Sequence, residues 1–300
     1  MQVSESKQID LRNGPAIQET WHGSAEIPDM PFSKLETLIV DDCQFLSNAV
    51  LPFHFLPLFP KLETLKVRNC HSVKTIFDVQ STTEATLITF PLKKLVLSML
   101  PNLENVWNGE PHGILGMQHL EEVRVKECKG LTSVFPASVA KDLMKLEHLV
   151  VEDCEALTAI VAEECDEDEE ILIFERLQVL DLKRLQELRC FYAGNFSLSF
   201  PSLKEVYIIE CSSMKSFSRL NKIDHPTKWY SKEYERPRRE TDLNAAVRRT
   251  SEGEVRILLR INLCLLENDV PADCNILPNF SSYDLSFSLK LLDIFFWENL

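Results

Sequence analysis

Glycine is scarce in this 300-residue chain, and its 8 glycines never fall into a G-x-x-x-x-G-K-[ST] or G-x-G-x-x-G spacing. A loop that cradles phosphates needs closely spaced glycines so that backbone N–H groups can approach the ligand, and nucleotide chemistry is therefore not expected. The seven histidines (His22, His54, His71, His112, His119, His148, His225) form no H-E-x-x-H pair, and the 9 cysteines form no C-x-x-C. The commonest zinc and redox patterns are thus missing, and no metal or cofactor is expected. Long apolar runs are also lacking: the longest, residues 257–266, is broken by Arg260 and Asn262. It falls short of the ~20 residues a membrane-spanning helix needs. Residues 1–7 show no basic end followed by an apolar stretch, so an intracellular, cytoplasmic protein is expected. Cation excess is absent too, since the net charge is −14. Such a body repels a phosphate backbone and argues against nucleic acid as a general partner.

What the chain does have is a repeated spacing: apolar, two residues, apolar, one residue, apolar, two residues, Cys or apolar, two residues, apolar. The clearest copy is Leu62, Leu65, Val67, Cys70 and Val73. Others begin at Leu35, Leu92, Leu120, Leu146, Leu177 and Leu203, at steps of 27, 30, 28, 26, 31 and 26 residues. The central pair, such as Leu65 and Val67, are i and i+2 on a short strand and point to one face. A single repeat cannot bury that face, so neighbours stack strand on strand around a shared core. The fold class expected is an α/β solenoid: a leucine-rich-repeat horseshoe with a parallel sheet on its concave face and mostly irregular convex segments.

Four segments are expected. Residues 1–30 read as the remnant of a preceding repeat, because Ile17, Thr20, Trp21 and Gly23 align with Leu103, Val106, Trp107 and Gly109. With no polar cap ahead of it, the first full repeat is expected to expose Leu35, Leu38 and Val40 and to make the isolated chain poorly soluble; a fragment, a truncated gene product or a missing upstream domain would account for such a start. Residues 31–221 form the seven-repeat solenoid. Residues 222–255 read as a polar cap or linker with a short helix capped by Asp242, and residues 256–300 as an extension whose apolar pattern (Leu289, Leu292, Ile294, Trp297, Leu300) is unproven as a repeat. Within the solenoid, residues 134–143 suit a helical turn or two, with Val139 and Leu143 at i and i+4. Residues 163–170 carry seven acids in eight and, lacking the glycine a calcium loop turns on, read as a solvated insertion.

Cys43, Cys70, Cys128, Cys154 and Cys211 share one register position, where a small polar side chain can meet backbone groups as the strand ends. They are expected to be buried reduced thiols. The residues between and beside each inward pair point out of the concave sheet and form ladders. One ladder reads Ile39, Lys66, Val96, Arg124, Val150, Asp181, Tyr207, and the next Asp41, Arg68, Ser98, Lys126, Glu152, Lys183, Ile209. Lys66, Arg68, Arg124 and Lys126 gather one or two repeats apart, within ~10 Å at a strand spacing of ~4.8 Å. The strip is expected to meet an acidic partner segment, in trans or in the same polypeptide. With Glu152, Asp181, Lys183 and Tyr207 it makes the expected protein-binding face. No residues are expected to be catalytic, because an unbroken solenoid offers a broad face and no deep cleft.

The phrases Phe59-Pro-Lys-Leu-Glu-Thr-Leu-Lys-Val-Arg-Asn-Cys-His-Ser-Val, Leu120-Glu-Glu-Val-Arg-Val-Lys-Glu-Cys-Lys-Gly-Leu-Thr-Ser-Val-Phe-Pro-Ala-Ser-Val-Ala and Phe200-Pro-Ser-Leu-Lys-Glu-Val-Tyr-Ile-Ile-Glu-Cys-Ser-Ser-Met resemble the repeats of plant coiled-coil-type nucleotide-binding leucine-rich-repeat (NB-LRR) resistance proteins. The resemblance covers residues 32–217, without the family's coiled coil or nucleotide-binding module. It implies the sensor half of such a receptor: a non-enzymatic module that recognises a pathogen effector or a guarded host protein, or restrains its own or a paired nucleotide-binding domain. A ubiquitin-ligase substrate adaptor of the F-box type, or a free-standing repeat decoy, is the alternative. Adaptors of that type have a preceding F-box and a more regular 26-residue step, whereas Pro52, Pro57, Pro60, Pro91 and Pro101 interrupt the return segments here. A receptor ectodomain would show Asn at the Cys position and paired cysteine caps.

Overall fold

The computed structural model describes residues 6–12, 32–46, 48–79, 88–109, 115–163, 171–195 and 197–218, with Asn244 and the backbone of the strands Ile223–Asp224, Trp229–Glu233, Arg236–Glu240 and Ile257–Arg260. All lie in one compact unit, Met1–Ile261; none belongs to the second, Asn262–Leu300. The alignment of Ile17 to Gly23, the body of the acidic insertion and the apolar tail pattern fall outside the described residues, as does the helix expected at Asp242 except for Asn244.

Eight parallel strands build the concave sheet: β1 (Gln8–Arg12), β2 (Thr37–Asp41), β3 (Thr64–Arg68), β4 (Lys94–Ser98), β5 (Glu122–Lys126), β6 (His148–Glu152), β7 (Val179–Lys183) and β8 (Glu205–Ile209). Each is five residues long and pairs in register with the next, so that Leu38, Leu65, Leu95, Val123, Leu149, Leu180 and Val206 form one inward column. Val40, Val67, Leu97, Val125, Val151, Leu182 and Ile208 form the second, and both columns are buried. Each such side chain contributes about 1.5–3 kcal/mol on leaving water. The Cys thiols complete the layer. Cys43 donates to Leu11 O at 3.2 Å, Cys70 to Arg68 O at 3.2 Å and Cys154 to Glu152 O at 3.3 Å. Burial raises the Cys211 thiol to about 11, and at Cys128 burial and the neighbouring Cys154 raise it well above the ordinary thiol range.

The first full repeat does not expose its core. Ile9 and Leu11 of β1 stand in register with Leu38 and Val40, and Leu35, Leu38 and Val40 are buried, which corrects the expectation of an open edge. The physical reason lies in β1 itself: Ile9 and Leu11 are an i, i+2 inward pair like those of every later repeat, so the repeat spacing extends further toward the N-terminus than Trp21 suggested.

At the other end β8 pairs antiparallel with β11 (Ile257–Arg260), which continues to the hairpin of β9 (Trp229–Glu233) and β10 (Arg236–Glu240). The side-chain oxygen of buried Asn244 accepts a hydrogen bond from Phe217 N at 2.7 Å, satisfying a donor that another repeat would otherwise take.

Between their Pro-rich turns the return segments carry short parallel ladders, such as Ala49–Pro52 with Thr75–Asp78 and Asn105–Asn108. Among the described residues a short α-helix, α1 (Ala137–Lys141), begins after Pro136 and buries its own Val139, with Leu143 buried just beyond it, and a 3-10 helix spans Phe53–Leu58. Phenylalanines three residues ahead of their repeat's first leucine stack from repeat to repeat: the rings of Phe32 and Phe59 lie 4.9 Å apart, and those of Phe174 and Phe200 5.5 Å apart.

Candidate functional site: the concave face

Two devices hold the concave strands at constant spacing. At the entry to each strand one carbonyl accepts from two successive N–H groups of the next repeat, as Glu63 O does from Lys93 and Lys94. At the exit, Asp42, Asn69, Met99, Glu127, Asp153, Arg184 and Glu210 all adopt φ between 51° and 57°. That left-handed residue turns the chain while its N–H continues the ladder, as Met99 N does to Lys126 O at 3.0 Å. Asp and Asn tolerate the conformation; Met, Glu and Arg hold it at a cost of roughly 1–2 kcal/mol. The turn therefore follows from the stacking and not from residue preference.

The outward side chains form a platform of charges. Lys66 and Arg68 leave β3, Arg124 and Lys126 leave β5, and Val96 and Ser98 of β4 lie in register between them. Around this centre run carboxylates. Arg68 Nε lies 3.2 Å from Asp41 Oδ2, Lys94 Nζ lies 3.2 Å from Glu122 Oε2, and Arg124 Nε donates to Glu122 Oε1. Arg124 is only 8% exposed, so it is a wall of the platform more than a projecting contact. Burial, reinforced by the charges of Lys94 and Arg68, pushes the Lys66 amine below its ordinary value despite the opposing pull of Glu122. At Glu122 burial opposes ionisation, but the Arg124 hydrogen bond and the charges of Arg124 and Lys94 outweigh it and lower its pKa.

A second cluster occupies β6 and β7. Lys183 Nζ sits 3.2 Å from Glu152 Oε1 and 2.9 Å from Asp181 Oδ2, while Arg184 grips Asp153 through two hydrogen bonds of 2.5 and 2.7 Å. Glu152 is 2% exposed. Tyr207 follows in register with Asp181 and donates its hydroxyl to Glu205 at 2.7 Å.

All eight residues expected on this face thus leave the same sheet, in two groups: the cationic centre of Lys66, Arg68, Arg124 and Lys126, and the mixed cluster of Glu152, Asp181 and Lys183 with Tyr207 beside it. Asp41 of the outward ladder completes these networks together with Lys94, Glu122, Asp153 and Arg184, which the ladder positions did not include. For Lys94 and Glu122 the signal was available, because the two-residue alternation that puts Lys66 outward extends to the first residue of each strand.

Among the described residues no helix is long and apolar enough to cross a membrane, and no group of three or more His, Cys, Asp or Glu is placed to hold a metal ion. Neither a curated protein nor a solved structure matches the chain. The family model of the leucine-rich repeats of plant disease resistance protein RPS2-like chains matches residues 5–155 and 143–219. With strands, buried columns and exit turns recurring across this same span, the chain belongs to the leucine-rich-repeat family of plant RPS2-like disease resistance proteins.

Proposed function

We propose that the chain is a non-enzymatic recognition module of plant innate immunity, acting inside the cell, whose concave sheet binds a protein: a pathogen effector, a guarded host protein, or the nucleotide-binding domain of an NB-LRR receptor. The observation that carries this reading is the concave platform itself. Its inward columns are apolar and buried, as a scaffold requires, while its outward columns change charge and size from one repeat to the next. A surface whose scaffold is repetitive and whose display is not is suited to reading one particular partner. The binding residues are Lys66, Arg68, Arg124, Lys126, Glu152, Asp181, Lys183 and Tyr207. No nucleic acid, membrane span or cofactor enters this reading.

The test is photocrosslinking in pathogen-challenged plant tissue, with a benzophenone side chain placed at Tyr207 or Ser98 on the concave face, or at Ile171 on the return side. The expected result is a protein adduct from the two concave positions and none from Ile171. Mass spectrometry of that adduct separates a sensor, which captures an effector or host protein, from a restraint, which captures a nucleotide-binding domain. Adducts formed only from Ile171 would refute the reading.

A further inference from the structure

The central row of the platform has a distinctive composition: Arg68, Ser98 and Lys126 stand in register on three adjacent strands. A hydroxyl-bearing residue therefore stands between two cationic residues on the neighbouring strands, the strands being ~4.8 Å apart. Among the described residues the Ser98 hydroxyl has no hydrogen-bond partner. Arg68 Nε, although 3.2 Å from Asp41 Oδ2, is buried and makes no hydrogen bond. The two central columns over β3, β4 and β5 contain Lys66, Arg68, Arg124 and Lys126 and no carboxylate. Directly after Ser98 comes Met99, which is 46% exposed at a turn position filled by polar residues in every other described repeat.

We propose that the Arg68–Ser98–Lys126 row is a carboxylate cradle that receives an Asp or Glu side chain of a partner protein segment, with Met99 covered by an apolar residue next to it. This rests on the reading of the concave sheet as a protein-recognition face and names the chemistry of what it takes. A carboxylate above Ser98 accepts from the hydroxyl and from a cation on either side, and hydrogen bonds to charged partners are the stronger kind. The exposed apolar surface of Met99 excludes water from those bonds once covered, as a recognition centre requires. The surroundings favour a single negative charge. Asp41 and Glu152 flank the row in register and Glu127 follows Lys126, so a doubly charged phosphate meets repulsion that a carboxylate largely escapes.

Two measurements on the full chain test this. The first is fluorescence anisotropy with a dye-labelled peptide of about ten residues alternating Glu and Leu, at ~0.1 M salt, where charges beyond roughly 10 Å are screened. It should bind, and Arg68→Gln or Lys126→Gln should each raise Kd by at least roughly tenfold. Lys145→Gln, outside the sheet, should change Kd less than about twofold. A Gln and Leu peptide that binds equally well, or a phosphoserine peptide that binds more tightly, overturns the assignment. The second measurement needs no partner. Ser98→Asp places a carboxylate in the cradle covalently, and should raise Tm by about 2–4 °C over the isosteric Ser98→Asn while abolishing peptide binding. A Ser98→Asp protein that melts at or below Ser98→Asn also overturns it. Either failure leaves adduct formation from Tyr207 as a separate outcome, so the cradle can fall while the recognition face stands.

Discussion

Arg184 holds Asp153 by a two-pronged hydrogen bond, Nε to Oδ1 at 2.5 Å and Nη2 to Oδ2 at 2.7 Å, across two strands whose sequences are 31 residues apart. Both residues occupy the left-handed exit position of their repeats, so the pair locks one turn to the next. The Arg184 hydrogen bond and charge hold the Asp153 carboxyl below its ordinary value. For a carboxyl whose folded pKa is depressed, the stabilisation is present above the unfolded value of ~3.9 and disappears as pH falls through the folded one. Thermal melts between about pH 5 and pH 2 should therefore show an acid decline in the native chain that is shallower in Asp153→Asn. Parallel curves for the two proteins would refute the linkage.

Lys183 is the nearer partner of Glu152, whose carboxylate is almost wholly removed from water. Replacing Lys183 by Met leaves that carboxylate with Arg184 Nη2 at 3.5 Å as its remaining cation among the ion pairs described. The expected loss is about 3 kcal/mol in urea unfolding, because removing one partner of a buried pair leaves a charge uncompensated. The double variant Lys183→Met, Glu152→Met should recover most of it. A single variant as stable as the native chain would show that the pair contributes nothing.

Lys66 points the other way. Its amine is pushed down by burial and by Lys94 and Arg68, so its charged form is disfavoured in the folded chain. With the folded pKa below the unfolded one, stability should rise as alkaline pH passes through the folded value. Lys66→Met, which keeps the apolar stem, should melt higher than the native chain at neutral pH. A lower Tm for Lys66→Met would mean that its contacts outweigh its burial.

Glu127 sits at φ 55° with no glycine or asparagine to ease the turn. Glu127→Gly should stabilise by roughly 0.5–1 kcal/mol, the relief of the left-handed strain less the added freedom of the unfolded chain. Asn69→Val, at φ 57°, should destabilise by about 1–2 kcal/mol. Equal denaturation midpoints across the set would show that the turns are unstrained.

The five ladder thiols are buried and in no disulfide, whereas Cys190 is half-buried. Burial raises Cys128 and Cys211, and at Cys70 the hydrogen bond with Cys43, then burial, does the same. Since the thiolate is the reactive species, brief alkylation at neutral pH should label Cys190 ahead of Cys43, Cys70, Cys128, Cys154 and Cys211, which should react only on unfolding. Peptide mapping by mass spectrometry gives the order, and early labelling at Cys128 would contradict it.

The repeated spacing by itself determined the solenoid, the inward columns, the buried thiols and the outward placement of Lys66, Arg68, Arg124 and Lys126. It could do so because a strand alternates its faces every two residues, so an apolar i, i+2 pair assigns every neighbour to a face. Even β1 was legible in principle, since Ile9 and Leu11 carry the same pair. Only the tertiary structure decided which charge meets which. Arg184 meets Asp153, and Lys183 meets Glu152, across repeats of unequal length, and their pairing depends on how those repeats stack in register. The same holds for the left-handed turns at Met99, Glu127 and Arg184, which residue preference opposes, and for Asn244, which closes the far end through a hydrogen bond to Phe217. Local sequence records the face a residue takes; the partner it finds there is set by the neighbouring repeat.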